Sequence, residues 1–341
     1  MDSLISLIQA AIIFGTVIMF GAVGEIIAEK SGSLNLGVPG VMYLGGIASL
    51  IGVFFYENST DNPNQIICVI IALVCAFLAA ALGGLIFSFL TITLRANQNV
   101  TGLTLTIFGS GVANFFGGSL NKLAGGVGQI SVATTSSAFR ASIPALYNLG
   151  FIGKILFSYG FMVYAAIILA IFAQRFLTKS RAGLNLRAIG ENPGSADAAG
   201  INVTLYKYLA TCIGSGISGL GGMYYVMDYT KGTWANDATI ESLGWLAVAL
   251  VIFAIWKPRN TIWGAYLFGI LYWVYAFWRE TNVDLGFITL HLPALTRRTQ
   301  ELFKMIPYIV TIIVLVITSH RKKKEYQPPE ALGLPYFREE R

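Results

Sequence analysis

Long apolar runs with no formal charge in their interiors constrain this chain more than any other feature of its sequence. The run from Ile66 to Leu94 contains no Asp, Glu, Lys, Arg or His. At ~1.5 Å per residue a helix of that length outruns a hydrocarbon core about 30 Å thick, so it must tilt or project beyond the bilayer. Similar runs cover Leu4 to Gly24, Val38 to Phe55, Val100 to Gly118, Ile155 to Phe172, Tyr208 to Met227, Leu243 to Trp256, Ile262 to Trp278 and Met305 to Thr318. Two of them are broken, one by Pro39 and Gly40 and one by Gly102, Gly109 and Gly111. Only 12% of the 341 residues are charged, about half the share of a soluble domain. The expected fold class is an all-α polytopic membrane protein, a bundle of about nine transmembrane crossings with broken or re-entrant helices. Its 37 glycines suit helices whose backbones approach closely in lipid.

Basic residues orient this bundle. Nine crossings put the long polar passage Arg175 to Lys207 and the C-terminus on the same side. That side collects Lys30, Arg95, five basic residues between Arg175 and Lys207, Lys257, Arg259 and six in the tail, fifteen of the 23. The positive-inside rule makes it cytoplasmic, with the N-terminus outside. Residues 1–320 are then one transmembrane domain with a cytoplasmic loop at 175–207, and 321–341 form a basic cytoplasmic tail. The first apolar run, with no basic n-region or small-residue cleavage site before it, reads as a retained span.

Several function classes fall away. The net charge of +6 follows from this sidedness and does not point to nucleic acid. Cys68, Cys75 and Cys212 lie in apolar runs, and His291 and His320 are far apart, so neither a metal site nor a disulfide framework is expected. No nucleophile or acid/base cluster suggests an enzyme, and no cofactor is called for. The glycines Gly214, Gly216, Gly221 and Gly222 lack the Lys-Ser/Thr of a phosphate-binding loop, so they read as packing glycines. Spans without ionisable interiors argue against a proton-coupled carrier. They fit a path for a neutral or polar solute, with energy supplied by a partner. A self-sufficient secondary transporter or channel for a small neutral solute is the alternative, and a non-transporting membrane anchor a further one.

The polar passage 175–207 carries the sharpest local signal. Asn192 can cap a short helix, Pro193 suits its first position and Gly200 is the usual left-handed stop. A helix of about two turns is not stable alone in water, so it is expected to dock on something. Ala196, Ala198 and Ala199 give it little bulk, while Glu191 and Asp197 are acidic members of an otherwise basic loop.

Four passages together resemble the permease subunits of ABC importers, in the simple-sugar and nucleoside branch. They are Gly24-Glu25 through Ser31-Gly32-Ser33-Leu34-Asn35-Leu36-Gly37-Val38-Pro39-Gly40, Arg95-Ala96-Asn97-Gln98, Arg187-Ala188-Ile189-Gly190-Glu191-Asn192-Pro193 through Ala199-Gly200-Ile201, and Pro329 to Tyr336. The resemblance implies a multi-pass permease of the bacterial cell membrane, bathed in lipid and working as a pair with a second permease, identical or paralogous. It also implies a cytoplasmic ABC ATPase and an extracytoplasmic solute-binding lipoprotein. In such a family the loop Glu191, Asn192, Pro193, Ala196, Asp197, Ala199, Gly200 is where the ATPase pushes. Two departures bear on the substrate. Lys231 to Asp237 replaces a glycine-rich run, and Tyr266, Tyr272, Trp273, Tyr275 and Trp278 make an unusually aromatic span. Rings at that depth serve as interfacial anchors or stack on a nucleobase. Candidate path residues are Asn35, Asn97, Asn114, Tyr272 and Trp273, with a nucleoside preferred over a simple sugar.

Overall fold

A computed structural model describes residues 2–123, 130–141, 155, 157–235, 238–277, 281–284, 289–292, 297–320 and 327–337. Helix α1 (Asp2–Glu29) leads through a Ser/Gly turn to α2 (Val38–Ser59), where Pro39 sits in the first turn and starts the helix instead of breaking it. Asn64 caps α3 (Gln65–Ser88) by accepting from the Ile66 N–H at 2.9 Å, and a π turn, Phe89–Thr93, ends it. Helix α4 (Gln98–Leu123) and the short α5 (Ala133–Phe139) follow, then α6 (Phe161–Lys179). Two polar helices, α7 (Arg181–Glu191) and α8 (Pro193–Ala198), connect α6 to α9 (Val203–Tyr224), which runs into a second π turn, Tyr225–Tyr229. Helices α10 (Thr239–Phe253) and α11 (Pro258–Phe277) come next, and α12 (Arg297–Lys304) and α13 (Ile306–His320) close the bundle. Between α11 and α12, expected as loop, strands β1 (Thr281–Asp284) and β2 (Thr289–Leu292) pair antiparallel.

Among the described residues, five helical stretches are long and apolar enough to cross a membrane: Ile5–Glu29, Val38–Ser59, Gln65–Thr93, Gln98–Ser119 and Phe161–Lys179. Two further apolar helical stretches, Thr239–Phe253 and Leu302–Ile317, are shorter. The chain is therefore a multi-pass helical membrane protein. Helix α3 shows how burial is divided. Ala72, Ala76 and Ala80 are fully buried at a four-residue spacing, while Ile66, Ile70, Val74, Leu78 and Leu82 are exposed on the opposite side, where apolar side chains cost nothing against acyl chains.

Helix α9 is the hub, packed against α1, α2 and α3. Its glycines make this possible. A Cβ at Gly214 would lie 2.5 Å from the Gly24 carbonyl oxygen, and one at Gly24 would lie 2.2 Å from that of Gly214. Two backbones thus meet where lipid supplies no hydrophobic force and van der Waals contact holds helices together. Gly214→Leu must push α1 and α9 apart at a cost of ~1–3 kcal/mol or more. We expect it to abolish recovery of a monodisperse protein in detergent size-exclusion chromatography. Leu82→Val, on the lipid face, should leave the profile unchanged.

The structure corrects the sequence reading at the charged residues. Helix α1 continues through Glu25 and Glu29, which are buried, and α9 carries a buried Lys207 one turn from its start. Asp228, in the second π turn, is buried as well. Formal charge therefore does enter the packed bundle, at helix ends that the apolar runs alone placed outside it. The fifth span also starts later than expected, at Phe161 instead of Ile155.

Candidate functional site

The polar passage folds as a two-helix element. Ser180 starts α7 by accepting from the Gly183 N–H at 3.0 Å, and α7 buries Gly183, Leu186, Ile189 and Gly190. Asn192 turns the chain, and its Oδ1 accepts from the Ser195 N–H at 2.9 Å to start α8, with Pro193 at the first position. At the other end Gly200 has φ +83, and the Ile201 N–H returns to the Ala196 carbonyl at 3.0 Å, which closes the helix as a left-handed C-cap does. Ala196 is only 4% exposed and joins Ile189 and Val203 in a small apolar cluster flanked by Ile201, Tyr206 and Tyr336. Its methyl group seats α8 on the chain's own body. Asn192, Ser195, Ala198, Ala199 and Gly200 form the exposed side.

A strap from the C-terminal segment fixes this element. The Ala331 N–H donates to the Gly190 carbonyl at 2.9 Å, and the Gly333 N–H donates to the Gly32 carbonyl at 3.1 Å. The Tyr336 hydroxyl donates to Asp197 Oδ2 at 2.9 Å. Residues 327–337, in the segment expected as a basic cytoplasmic tail, thus bind α7, α8 and the Ser/Gly turn after α1 together. The two buried carboxylates of α1 each hold a turn. Glu25 Oε1 accepts from the Asn35 N–H at 3.1 Å, and Glu29 Oε2 accepts from Trp256 Nε1, on the turn between α10 and α11. Ile255 and Trp256 both have positive φ, 58° and 51°. Two non-glycine residues in that region mark a turn that its surroundings hold in place.

Two cavities flank the element. One, of about 470 Å³, lies between α8, the start of α9, the π turn after α3 and the strap. The other, of about 500 Å³, is lined by Lys30, Arg187, Glu191, Trp256 and Lys257 among others. Burial, and next the like charge of Arg187, pulls the Lys30 ammonium down to about 8 against the attraction of Glu191. Lys30, Arg187 and Lys257 thus share the wall of this cavity with a single carboxylate, Glu191.

The sequence motifs anticipate a helical membrane body and the capped helix α8, and similarity covers both parts. The family of branched-chain amino acid transport system permease components matches residues 7–315, a range that contains α2 to α12, most of α1 and α13, and so the whole α7–α8 element. The chain belongs to this permease family. A putative glucose ABC transporter permease of Haloferax volcanii is 30% identical over 98% of each chain. A guanosine ABC transporter permease of Bacillus subtilis is 28% identical over 98% of this chain and 97% of its own. A nucleoside ABC transporter permease of Lactococcus lactis is 27% identical over 90% of each. No solved structure matches the chain. The permease is therefore a component of an ABC transporter, and its family is one of transport proteins, not enzymes.

The permease places the sequence-derived path residues in separate locations. Asn35 is buried and accepts from the Gly37 N–H at 2.9 Å, so it shapes the Ser/Gly turn. Asn97 is exposed and accepts from the Val100 N–H at 3.1 Å at the start of α4. Asn114 is exposed on α4 and accepts from the buried Trp234 Nε1 at 3.4 Å. Tyr272 and Trp273 gather around Phe14, with ring centroids 5.2 and 5.1 Å away, and Tyr229 joins them at 4.9 Å. The Tyr275 side chain and Trp278 lie outside the described residues, as do residues 321–326 of the basic tail. Lys207, Trp256 and Tyr336 carried too little local signal to be singled out. Of the buried charges, only the four-residue spacing of Glu25 and Glu29 at the end of an apolar run hinted that both share one helix face.

Proposed function

We propose that this permease is the membrane subunit of an importer that carries a nucleoside inward across a bacterial cytoplasmic membrane. It crosses nine times with its N-terminus outside and pairs with a second permease. A solute-binding lipoprotein delivers substrate, and a cytoplasmic ATPase supplies the energy by engaging the α7–α8 element. The observation that carries this reading is α8 itself. It is a six-residue helix capped at both ends, seated by Ala196 and held by Tyr336, with Ser195, Ala198 and Ala199 turned outward. So short a helix is marginal alone, and one built into its body at every inner contact acts as a rigid lever.

A nucleoside is preferred because Tyr229, 38% exposed, and the partly buried Tyr272 and Trp273 beside it present several aromatic rings together, and a planar nucleobase gains more from stacking on them than a sugar does. The guanosine and nucleoside permeases among its relatives support the same choice. Uptake of labelled guanosine, adenosine and uridine by the reconstituted importer, against ribose and galactose, tests it. The expected result is ATP-dependent nucleoside uptake. Uptake of sugars alone overturns the substrate, and uptake by the purified permease without its ATPase overturns the mechanism.

Sidedness has its own test. In a background lacking Cys68, Cys75 and Cys212, Ser195→Cys should react with an impermeant maleimide only from the cytoplasm, and Ser137→Cys only from outside. Both positions are exposed, whereas the neighbouring Ser136 is buried and unsuitable. Reaction of both from one face refutes the nine-crossing parity.

A further inference from the structure

Lys207 lies on the wall of the cavity of about 470 Å³ beside α8. It is 3% exposed, and among the described residues no hydrogen bond or ion pair meets its ammonium. An ammonium removed from water without a partner is a standing cost in the folded protein, one that an incoming anion would relieve. Arg95 shares the same wall. Its backbone is left-handed, φ 57, and its guanidinium lies over the Phe337 ring, 4.5 Å from the centroid, with no carboxylate partner among the described residues. The one acid on the wall, Asp197, accepts from Tyr336. Two cations therefore face one carboxylate. Gln98, also on the wall, accepts from the Leu34 N–H at 2.7 Å through Oε1, which leaves its amide NH₂ as a donor.

We propose that this cavity binds the phosphate group of a small ligand at the end of the bundle that carries α8. A phosphate offers more acceptor oxygens than a carboxylate, enough for the Arg95 fork and the Lys207 ammonium at once. The volume lies in the range of sites for small molecules, and one carboxylate side chain from a partner protein would leave most of it empty. The ligand would touch the π turn after α3, the start of α9 and the strap that holds Asp197. Occupancy would therefore tighten the seat of α8. The source is a free phosphorylated metabolite or the headgroup of an anionic lipid.

The test uses the full-length permease in a phosphate-free nonionic detergent, with labelled uridine monophosphate in equilibrium dialysis and, in a separate arm, phosphatidylglycerol titrated and its binding followed by native mass spectrometry. Inorganic phosphate, uridine and phosphatidylglycerol serve as competitors. Saturable binding displaced by inorganic phosphate but not by uridine is expected. Lys207→Gln should weaken it about tenfold or more, and Arg95→Gln by a smaller factor. Should Lys207→Gln fail to fold, Arg95→Gln, at an exposed position, decides alone. Binding of phosphatidylglycerol without uridine monophosphate identifies the lipid headgroup as the source, and the reverse identifies a metabolite. The proposal is overturned by an absence of saturable binding to either, by equal competition from uridine, or by binding that survives both substitutions. It is also overturned if the substitutions only weaken co-purification with the ATPase, which would make a partner's carboxylate the occupant.

Discussion

Replacing Ala199 with tryptophan is expected to reduce ATP-driven uptake to below about a tenth of the parent while the permease still folds and inserts. Ala199 is exposed at the end of α8, with φ −80 and ψ 4, a conformation open to tryptophan. Within the isolated chain the change should therefore cost no more than about 0.5 kcal/mol, as exposed substitutions do. Against a fitted groove of the ATPase the same ring overfills the contact, at ~1–3 kcal/mol or more. The readouts are uptake, recovery of the ATPase with the affinity-tagged permease, and the size-exclusion profile of the permease alone. Asp197→Arg should act in the same direction for a second reason. It removes the acceptor of Tyr336 and places a third cation on a wall that already carries Arg95 and Lys207. Parent-like uptake and ATPase recovery in both variants would show that α8 is not the coupling element.

Gly333→Val should uncouple the permease by releasing the strap. Gly333 has φ +78, where a β-branched residue is strained by ~1–3 kcal/mol. Its N–H is also one of the two backbone donors that tie the strap to the body, on Gly32. Relief of the strain requires the strap to lift, which loosens Asp197 and with it α8. Uptake is expected to fall about tenfold or more, and proteolysis within 327–337 to accelerate, with the spans intact. Tyr336→Phe removes only the hydroxyl donated to Asp197, a charge-assisted bond worth ~1.5–3 kcal/mol, and should cost uptake less than Gly333→Val. If Gly333→Val transports like the parent while its strap is cleaved faster, the strap is a covering and not a support.

Two classes of feature were legible before any coordinates. Apolar length announced helices, because hydrocarbon leaves a backbone no partner but itself, and α1 to α4 sit where their runs predicted. Capping chemistry announced α8, because Asn192, Pro193 and Gly200 act through bonds spanning two to five residues. Such interactions are written in consecutive letters. The family resemblance rested on the same local signals, in the turn at Ser31 to Gly37 and in the passage from Arg187 to Ile201.

What needed the tertiary structure is every contact whose partners lie far apart in the chain. Glu25 and Glu29 looked like the polar edge of a span until packing buried them against Asn35 and Trp256. Ala196 looked like part of a docking surface, yet its neighbours Ile189 and Val203 make it an inward-facing support, with Ala198 and Ala199 left outside. The basic tail carried no sign of where it attaches, because charge and proline content describe solvation, not destination, and its hydrogen bonds reach across to Gly32, Gly190 and Asp197. Lys207 is the clearest case. Its position in the sequence fits an ordinary snorkelling residue near a membrane surface. Only the convergence of the π turn after α3, α9 and the strap shuts it away from water, because burial is set by what three distant segments do to the same volume.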